Sequence, residues 1–304
     1  MREGVPVSLF VPLAALGWQH YRPSVPELPA QKIARQHRWL LDNFNAGGQQ
    51  HGLLAWCLGA LLPALLVGGL AVLLGSAFDL LGSAFEVVLL YFMFGFRAAT
   101  YRASSLSRLL SADAVAEARR ALQAWNPGLL PGETRDDLVR QTLEETLKAA
   151  LSSLFGVLFW YWLAGVGGAL LYVLSHSCRE QWQSDVVFFN FAQQVVFVLD
   201  WLPARVLGFS FAIVGNFQDA MECWRGQASS WLDGNEGVIL SAGAGALGIR
   251  LGGALHIADG ELLRPEIGTE EQPAPESIDA AVALVWRATL LWLAVVGLLW
   301  LGAL

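Results

Sequence analysis

The chain has 304 residues, 55% of them hydrophobic and only 15% charged, whereas a soluble globular domain carries about a quarter charged residues. A mean hydropathy of +0.47 points to lipid as the solvent for much of it, and three scattered cysteines, Cys57, Cys178 and Cys223, suit neither a disulfide framework nor a zinc site. The formal net charge of −7, with basic residues balanced by acids, gives no support to nucleic-acid binding.

Along the chain, Val5 to Gln19 is apolar but short and is expected only to dip into a membrane. Met1 to Glu3 offers one arginine offset by one glutamate, and no small-residue cleavage site follows, so no signal peptide is expected to be removed. From Gly52 to Phe78 no charged side chain occurs across 27 residues. At about 1.5 Å per helical residue this exceeds a hydrocarbon core of roughly 30 Å. The candidate spans are 52–78, 80–96, 151–177, 186–217 and 280–304, each an apolar run with few or no charges. Glu86 interrupts the second, Asp200 and Arg205 the fourth, and Arg287 the last, where it is expected to snorkel or pair.

Arg22, Lys32, Arg35 and Arg38 precede the first strong span, and Arg97, Arg102, Arg108, Arg119, Arg120, Arg135, Arg140 and Lys148 fill the segment before the central one. The positive-inside rule makes both segments cytoplasmic, with the two intervening spans as a hairpin. Segments 97–150 and 218–276 are then the cytoplasmic loops. The first reads as helical: Val115, Ala118, Leu122 and Trp125 recur at helical spacing, and Asn126, Pro127 and Gly128 break the pattern. Thr134 and Asp137 then cap a second stripe of Val139, Leu143, Leu147 and Leu151. These stripes are expected to pack on each other or to lie on the membrane surface. Gly234 to Leu262 is rich in Gly and Ala and reads as a tight, backbone-exposing segment, followed by a solvated Pro- and Glu-rich stretch through Glu276. Ser277 to Asp279 starts the last helix, with Asp279 at the positive end of its dipole. The expected fold is therefore all-α: a polytopic transmembrane helical bundle of four to five spans with amphipathic cytoplasmic helices.

Two constellations stand out. Gly243, Gly245 and Gly248 spell G-x-G-x-x-G, with Arg250 just beyond. In a strand-to-helix turn such a run cradles a pyrophosphate, but the neighbouring Gly252 and Gly253 favour either close helix packing or a looser amide cradle for phosphate. Asp200, Trp201, Pro203 and Arg205 sit together in apolar sequence. They fit either an Asp200 to Arg205 pair or a polar cavity that also serves carbonyls freed by Pro203. Glu86 and Arg287 read as bundle contacts. The five histidines, His20, His37, His51, His176 and His256, show no metal spacing.

Leu199-Asp200-Trp201-Leu202-Pro203-Ala204-Arg205, Asn235-Glu236-Gly237, Ala242 to Gly248 with Arg250-Leu251-Gly252-Gly253, and Arg264-Pro265-Glu266-Ile267-Gly268 together resemble the CobD/CbiB family of cobalamin biosynthesis. Leu158-Phe159-Trp160 and Gly167 to Tyr172 resemble that family's central span. The resemblance implies an inner-membrane, ATP- and magnesium-dependent synthase that joins adenosylcobyric acid to an aminopropanol phosphate by an amide bond. Lipid and a corrinoid substrate are the implied partners. On these motifs the substrate-site candidates are Asp200, Arg205, Asn235, Arg250, Arg264 and Glu266, with Glu266 a candidate toward the metal and Gly243, Gly245 and Gly248 toward the nucleotide.

The chain lacks the family's opening Gly-Asp-Pro and His-Pro signature. Where the family carries a Glu-Asn-Asp-Gly-like run before the central span, it reads Glu144, Glu145, Lys148, Ala149, Ala150, Ser152 and Ser153. From this departure the expectation is that most of the equipment for metal and nucleotide is lost. The AmpE proteins, membrane modulators of the β-lactamase response, share the Leu-Asp-Trp-x-Pro-x-Arg run and supply a non-enzymatic alternative. A transporter is the third reading, without repeated halves to favour it.

Overall fold

A computed structural model describes residues 9–21, 27–44, 48–257 and 260–302. In chain order the helices are α1 (Phe10–Tyr21), α2 (Glu27–Phe44), α3 (Gln49–Trp56), α4 (Leu62–Ala77), α5 (Asp79–Met93), α6 (Phe96–Ser111), α7 (Val115–Trp125), α8 (Arg135–Ala150), α9 (Gly156–Gln181), α10 (Val186–Val214), α11 (Phe217–Gln227) and α12 (Gly234–Leu247). Four three-residue strands follow, β1 (Arg250–Gly252), β2 (Leu255–Ile257), β3 (Gly260–Leu262) and β4 (Glu266–Gly268), and then α13 (Glu276–Gly302). Single π turns at Cys57–Leu61 and Leu151–Phe155 join α3 to α4 and α8 to α9.

Five helical stretches are long and apolar enough to cross a membrane: Gln50–Ala77, Asp79–Ser111, Arg135–Gln181, Val186–Val214 and Glu276–Leu299. The fold is all-α and polytopic, as the apolar runs require. Leu62, Leu65, Leu66, Leu70, Val72 and Leu73 of α4 point outward, a stripe that is costly in water and free of cost in lipid. By contrast α1 has 12 residues, about 18 Å of helix, too short to cross. The Val5–Ser8 part of that expected dip lies outside the described residues.

The chain divides into two compact units, one made of Met1–Arg97, Ser152–Pro203 and Gly297–Leu304, the other of Ala98–Leu151 and Ala204–Val296. In the first unit, Leu40, Leu41, Ala55, Ala60, Leu174, Cys178, Trp182, Phe188 and Ala192 form a core. At Gly68 and Gly167 the backbones of α4 and α9 approach so closely that an added Cβ on Gly68 would lie 3.1 Å from the Gly167 Cα, the small-residue contact expected between helices in lipid. The unit also pairs several of its buried polar groups. The Tyr161 hydroxyl donates to Glu86 at 2.7 Å, which makes Glu86 the bundle contact its isolation suggests. The Gln19 amide caps the end of α5 by donating to the Tyr91 carbonyl at 2.9 Å.

Helix α10 runs unbroken through Pro203. Proline has no N–H, so the carbonyl four residues earlier, that of Leu199, loses its helical donor. The Trp160 indole N–H donates to that carbonyl at 3.1 Å, so a side chain, and not a water-lined cavity, satisfies it. Nor do Asp200 and Arg205 form the expected pair. Five positions along a helix set two side chains about 140° apart. Asp200 instead accepts from the Tyr172 hydroxyl at 2.7 Å and from His176 Nε2 at 3.1 Å, while Arg205 donates to Asn235.

In the second unit the segment 98–150 is mostly helical, and the Thr134 side chain accepts from the Asp137 amide, capping α8. Residues 218–276, expected to be mostly exposed backbone and loop, fold further than that. Helix α12 has no exposed residue and is the unit's central element. Strand β1 pairs antiparallel with β4, and β2 with β3, so the Gly-rich and Pro-rich stretches form nested hairpins. Asp279 in the first turn of α13 accepts from the hydroxyls of Ser104 and Ser107, at 3.0 and 2.8 Å, in addition to facing the helix dipole. Arg287 returns its Nε–H to the Ala283 carbonyl of its own helix.

Candidate functional site

The site is built around the two ends of α12. At its start Asp233 accepts from the amides of Asn235 and Glu236, a capping carboxylate at the positive end of the helix. At its end Gly248 takes the left-handed conformation (φ +70°), which glycine adopts without a Cβ clash, and its N–H closes on the carbonyls of Ala244 and Gly245. The amides of Gly243 and Gly245 lie inside this helix. A Cβ on Gly243 would meet the Leu147 side chain at 2.9 Å, and one on Gly245 the Asp219 carbonyl at 2.5 Å. Gly243, Gly245 and Gly248 therefore serve close packing and helix termination, and their amides do not form the open cradle that a pyrophosphate needs.

Beyond α12 the chain turns at Gly252 and Gly253, both with positive φ (+81° and +76°). A Cβ on Gly252 would sit 2.2 Å from the Pro265 carbonyl oxygen. This turn is tied down by Glu144 of α8, a buried carboxylate. Its Oε1 accepts from the Gly252 amide at 3.0 Å and from Arg264 Nη2 at 3.1 Å, while Oε2 accepts from Arg264 Nη1 at 2.7 Å. Arg264 also donates from Nε to the Gly253 carbonyl at 3.1 Å, and its guanidinium lies 5.0 Å from the Trp231 ring centroid. The bidentate fork and the cation–π face use the whole planar guanidinium, for which lysine is no substitute. Arg264 is thus held rigidly at the turn.

Further polar groups adjoin this pair. Lys148, one turn beyond Glu144 on α8, bonds Glu145, and the carboxylates of Glu236 and Glu144 also act on its charge. Arg205 donates to the buried Asn235 at 2.9 Å. At the mouth of the turn Arg250 Nη1 meets Glu266 at 3.1 Å, with side chains 29% and 58% exposed. Arg140, paired with Asp137, brings Nη1 to 2.6 Å from the point where a Gly253 Cβ would stand.

Of the sequence candidates, Arg250, Arg264 and Glu266 are brought together at the Gly252–Gly253 turn, and Arg205 and Asn235 meet at the start of α12. Asp200 belongs to the first unit, buried with Tyr172 and His176. Sequence reasoning missed Glu144, Glu145 and Lys148 as site residues, counting them as a departure, whereas the structure sets all three in the cluster. Lys148 lies three residues beyond Glu145 and four beyond Glu144 on α8, the spacings at which helix side chains meet, and that was the available signal. Trp231 and Arg140 carried none, since one reads as an isolated aromatic and the other as a topology charge.

Among the described residues, no group of three His, Cys, Asp or Glu side chains converges as a metal site. Glu144, Glu145 and Glu266 are each engaged by a cation. These carboxylates do not fit a resident magnesium ion. The donor set matches anionic groups instead, with four guanidinium groups, those of Arg140, Arg205, Arg250 and Arg264, and one ammonium, that of Lys148.

Fold and cluster together define a multi-pass membrane protein with a dense ionic site in its second unit. Residues 191–285 match the family described as CobD/Cbib protein. The chain is 35% identical over 254 residues to the cobalamin biosynthesis protein CobD of Stutzerimonas stutzeri (strain A1501), covering 82% of each chain. It is 32% identical over 216 residues to the cobalamin biosynthesis protein CobD of Chromobacterium violaceum, covering 68% of each. No solved structure matches it. The chain belongs to the CobD/CbiB family.

Proposed function

We propose that this chain acts in cobalamin biosynthesis in the bacterial inner membrane, joining the carboxyl group of a corrinoid acid to the amine of an aminopropanol phosphate. Both curated relatives are named for that pathway, and the AmpE alternative finds no support among the comparisons. The observation that carries the reading is the Glu144–Arg264 fork on the Gly252–Gly253 turn, ringed by Arg140, Arg250 and Lys148.

Amide formation removes one carboxylate oxygen and two protons. One phosphoanhydride bond of ATP is cleaved to carry the oxygen away on phosphate, while the amine nitrogen bonds the acyl carbon and releases its protons. The residues contribute chiefly by placing anions that would repel one another in water. Fixed guanidinium groups hold them without reorganisation during the reaction. Glu145, beside Lys148, is proposed to take the proton that the ammonium must lose before its nitrogen attacks. Magnesium, when supplied with the nucleotide, would neutralise phosphate charge.

Purified full-length protein in detergent, given adenosylcobyric acid, aminopropanol phosphate, ATP and magnesium, is expected to form the amide product detected by mass spectrometry. Absence of product, together with failure to restore corrinoid-dependent growth in a bacterium lacking its own CobD/CbiB protein, would refute the proposal.

A further inference from the structure

We infer that Arg250, Arg140 and the Gly252–Gly253 turn form a subsite for a phosphate monoester, and that the Glu266 carboxylate is its built-in stand-in, displaced when the ligand binds. This rests on the synthase reading for the identity of the ligand, but on geometry alone for the site.

Arg250 carries an unpaired buried donor. Its Nη1 holds Glu266 Oε2 at 3.1 Å, yet its Nε is buried and has no hydrogen-bond partner. Buried donors are ordinarily paired, and an orphaned one needs a reason such as a ligand that completes it. Beside it, the point where Gly253 lacks a Cβ lies 2.6 Å from Arg140 Nη1 and 3.8 Å from Glu266 Oε1. The glycine therefore gives Arg140 its approach, and one carboxylate lies by two guanidinium groups. The antiparallel register sets Gly252 opposite Glu266, which places this side chain at the turn. Glu266 is the most exposed member, at 58%, and an exposed ion pair of this kind is weakly held. Arg264 offers a contrast: its guanidinium is committed to Glu144, Gly253 and Trp231, so it serves as a fixed wall.

The charges indicate the ligand class. Arg140, Arg250 and Arg264 are opposed by Asp137, Glu144 and Glu266. When Glu266 swings into water, Arg250 presents both Nη1 and the orphaned Nε to whatever replaces it. A phosphate monoester carries close to two negative charges and three strong acceptor oxygens. It is better matched to that fork than a second carboxylate, which has only two oxygens and one charge.

The test is calorimetric titration of the full-length protein, in an uncharged detergent, with inorganic phosphate and with aminopropanol phosphate. Glu266→Gln removes the competing charge and is expected to tighten binding of both on the order of tenfold, about the worth of one charge-assisted hydrogen bond. Arg250→Lys keeps the charge but loses the Nε, and is expected to bind both on the order of tenfold more weakly than wild type while melting at the wild-type temperature. Nanodiscs containing phosphatidylglycerol separate the two sources of phosphate. The inference holds if aminopropanol phosphate competes with inorganic phosphate and the anionic lipid does not, and it is overturned if the lipid alone competes. It is also overturned if Glu266→Gln binds phosphate no more tightly, or if Arg250→Lys binds as well as wild type. Phosphate binding that responds to these variants without amide formation would sink the synthase reading and spare the subsite. Amide formation with an unchanged KM for aminopropanol phosphate in Arg250→Lys would do the reverse.

Discussion

The two units bury a carboxylate in different ways. In the first, Asp200 is 6% exposed and receives a phenol and an imidazole, Tyr172 and His176, from α9. In the second, Glu144 is 3% exposed and receives a guanidinium fork and a backbone amide. A phenol and an imidazole satisfy a carboxylate among apolar helices through hydrogen bonds alone, where an unpaired one would be costly. Charged donors fix a loop and leave a field that reaches a ligand. The difference teaches that Asp200 ties two spanning helices together, whereas Glu144 organises a place where anions meet.

The largest expected effect breaks the second arrangement. Glu144→Ala strands the Arg264 guanidinium and frees the Gly252 amide, and should lower stability by about 3–5 kcal/mol, measured by unfolding in detergent micelles. Replacing both partners, with Glu144→Leu and Arg264→Met, should recover much of that loss, because the buried charge is gone. Amide formation should stay absent in the double variant, which separates stability from function. Next comes Asp200→Ala, which leaves the Tyr172 hydroxyl and the His176 N–H without their acceptor, at about 1–3 kcal/mol. Wild-type KM values in the surviving folded fraction would sharpen the contrast between the two carboxylates.

Trp160→Phe tests the repair at Pro203. It strands a single carbonyl, that of Leu199, and belongs at the lower end of about 1–3 kcal/mol by the same unfolding measurement. The smallest effect is a pH dependence from His37, in the first unit. Burial lowers its pKa, outweighing the opposing hydrogen bonds to Gly59 and Ser177. A group depressed in the folded state contributes fully above the unfolded value of about 6.5. Its contribution should fall as pH drops below that and toward the folded value, because the unfolded chain takes up the proton first. His37→Gln should flatten that part of the stability profile.

The apolar runs made the spans legible, since nothing but lipid or a deep core tolerates 27 residues without charge from Gly52 to Phe78. The Thr134 cap and the stripe from Val115 to Trp125 were equally plain, because caps and helical periodicity act over a few residues. Helix α12 was hidden. A sequence such as Ser241-Ala242-Gly243-Ala244-Gly245-Ala246 has poor intrinsic helix preference at its glycines, and burial on every side overrides that preference. The site was half legible. Arg250, Arg264 and Glu266 stood in recognisable runs, but the Glu144–Arg264 contact joins residues 120 positions apart, and no local pattern marks such a pair. The missing polar signature before the central span suggested lost equipment. Glu144, Glu145 and Lys148 occupy the site all the same, because Lys148 stands four and three residues beyond the two carboxylates on α8.

The most direct test is single-turnover amide formation by the purified wild type and by Arg264→Lys, which keeps the charge but cannot form the fork over Trp231. The expected result is product from the wild type and a loss on the order of a hundredfold in the variant, two charge-assisted hydrogen bonds being at stake. Equal rates for the two proteins, with both folded, would contradict the assignment of the Glu144–Arg264 cluster as the working site.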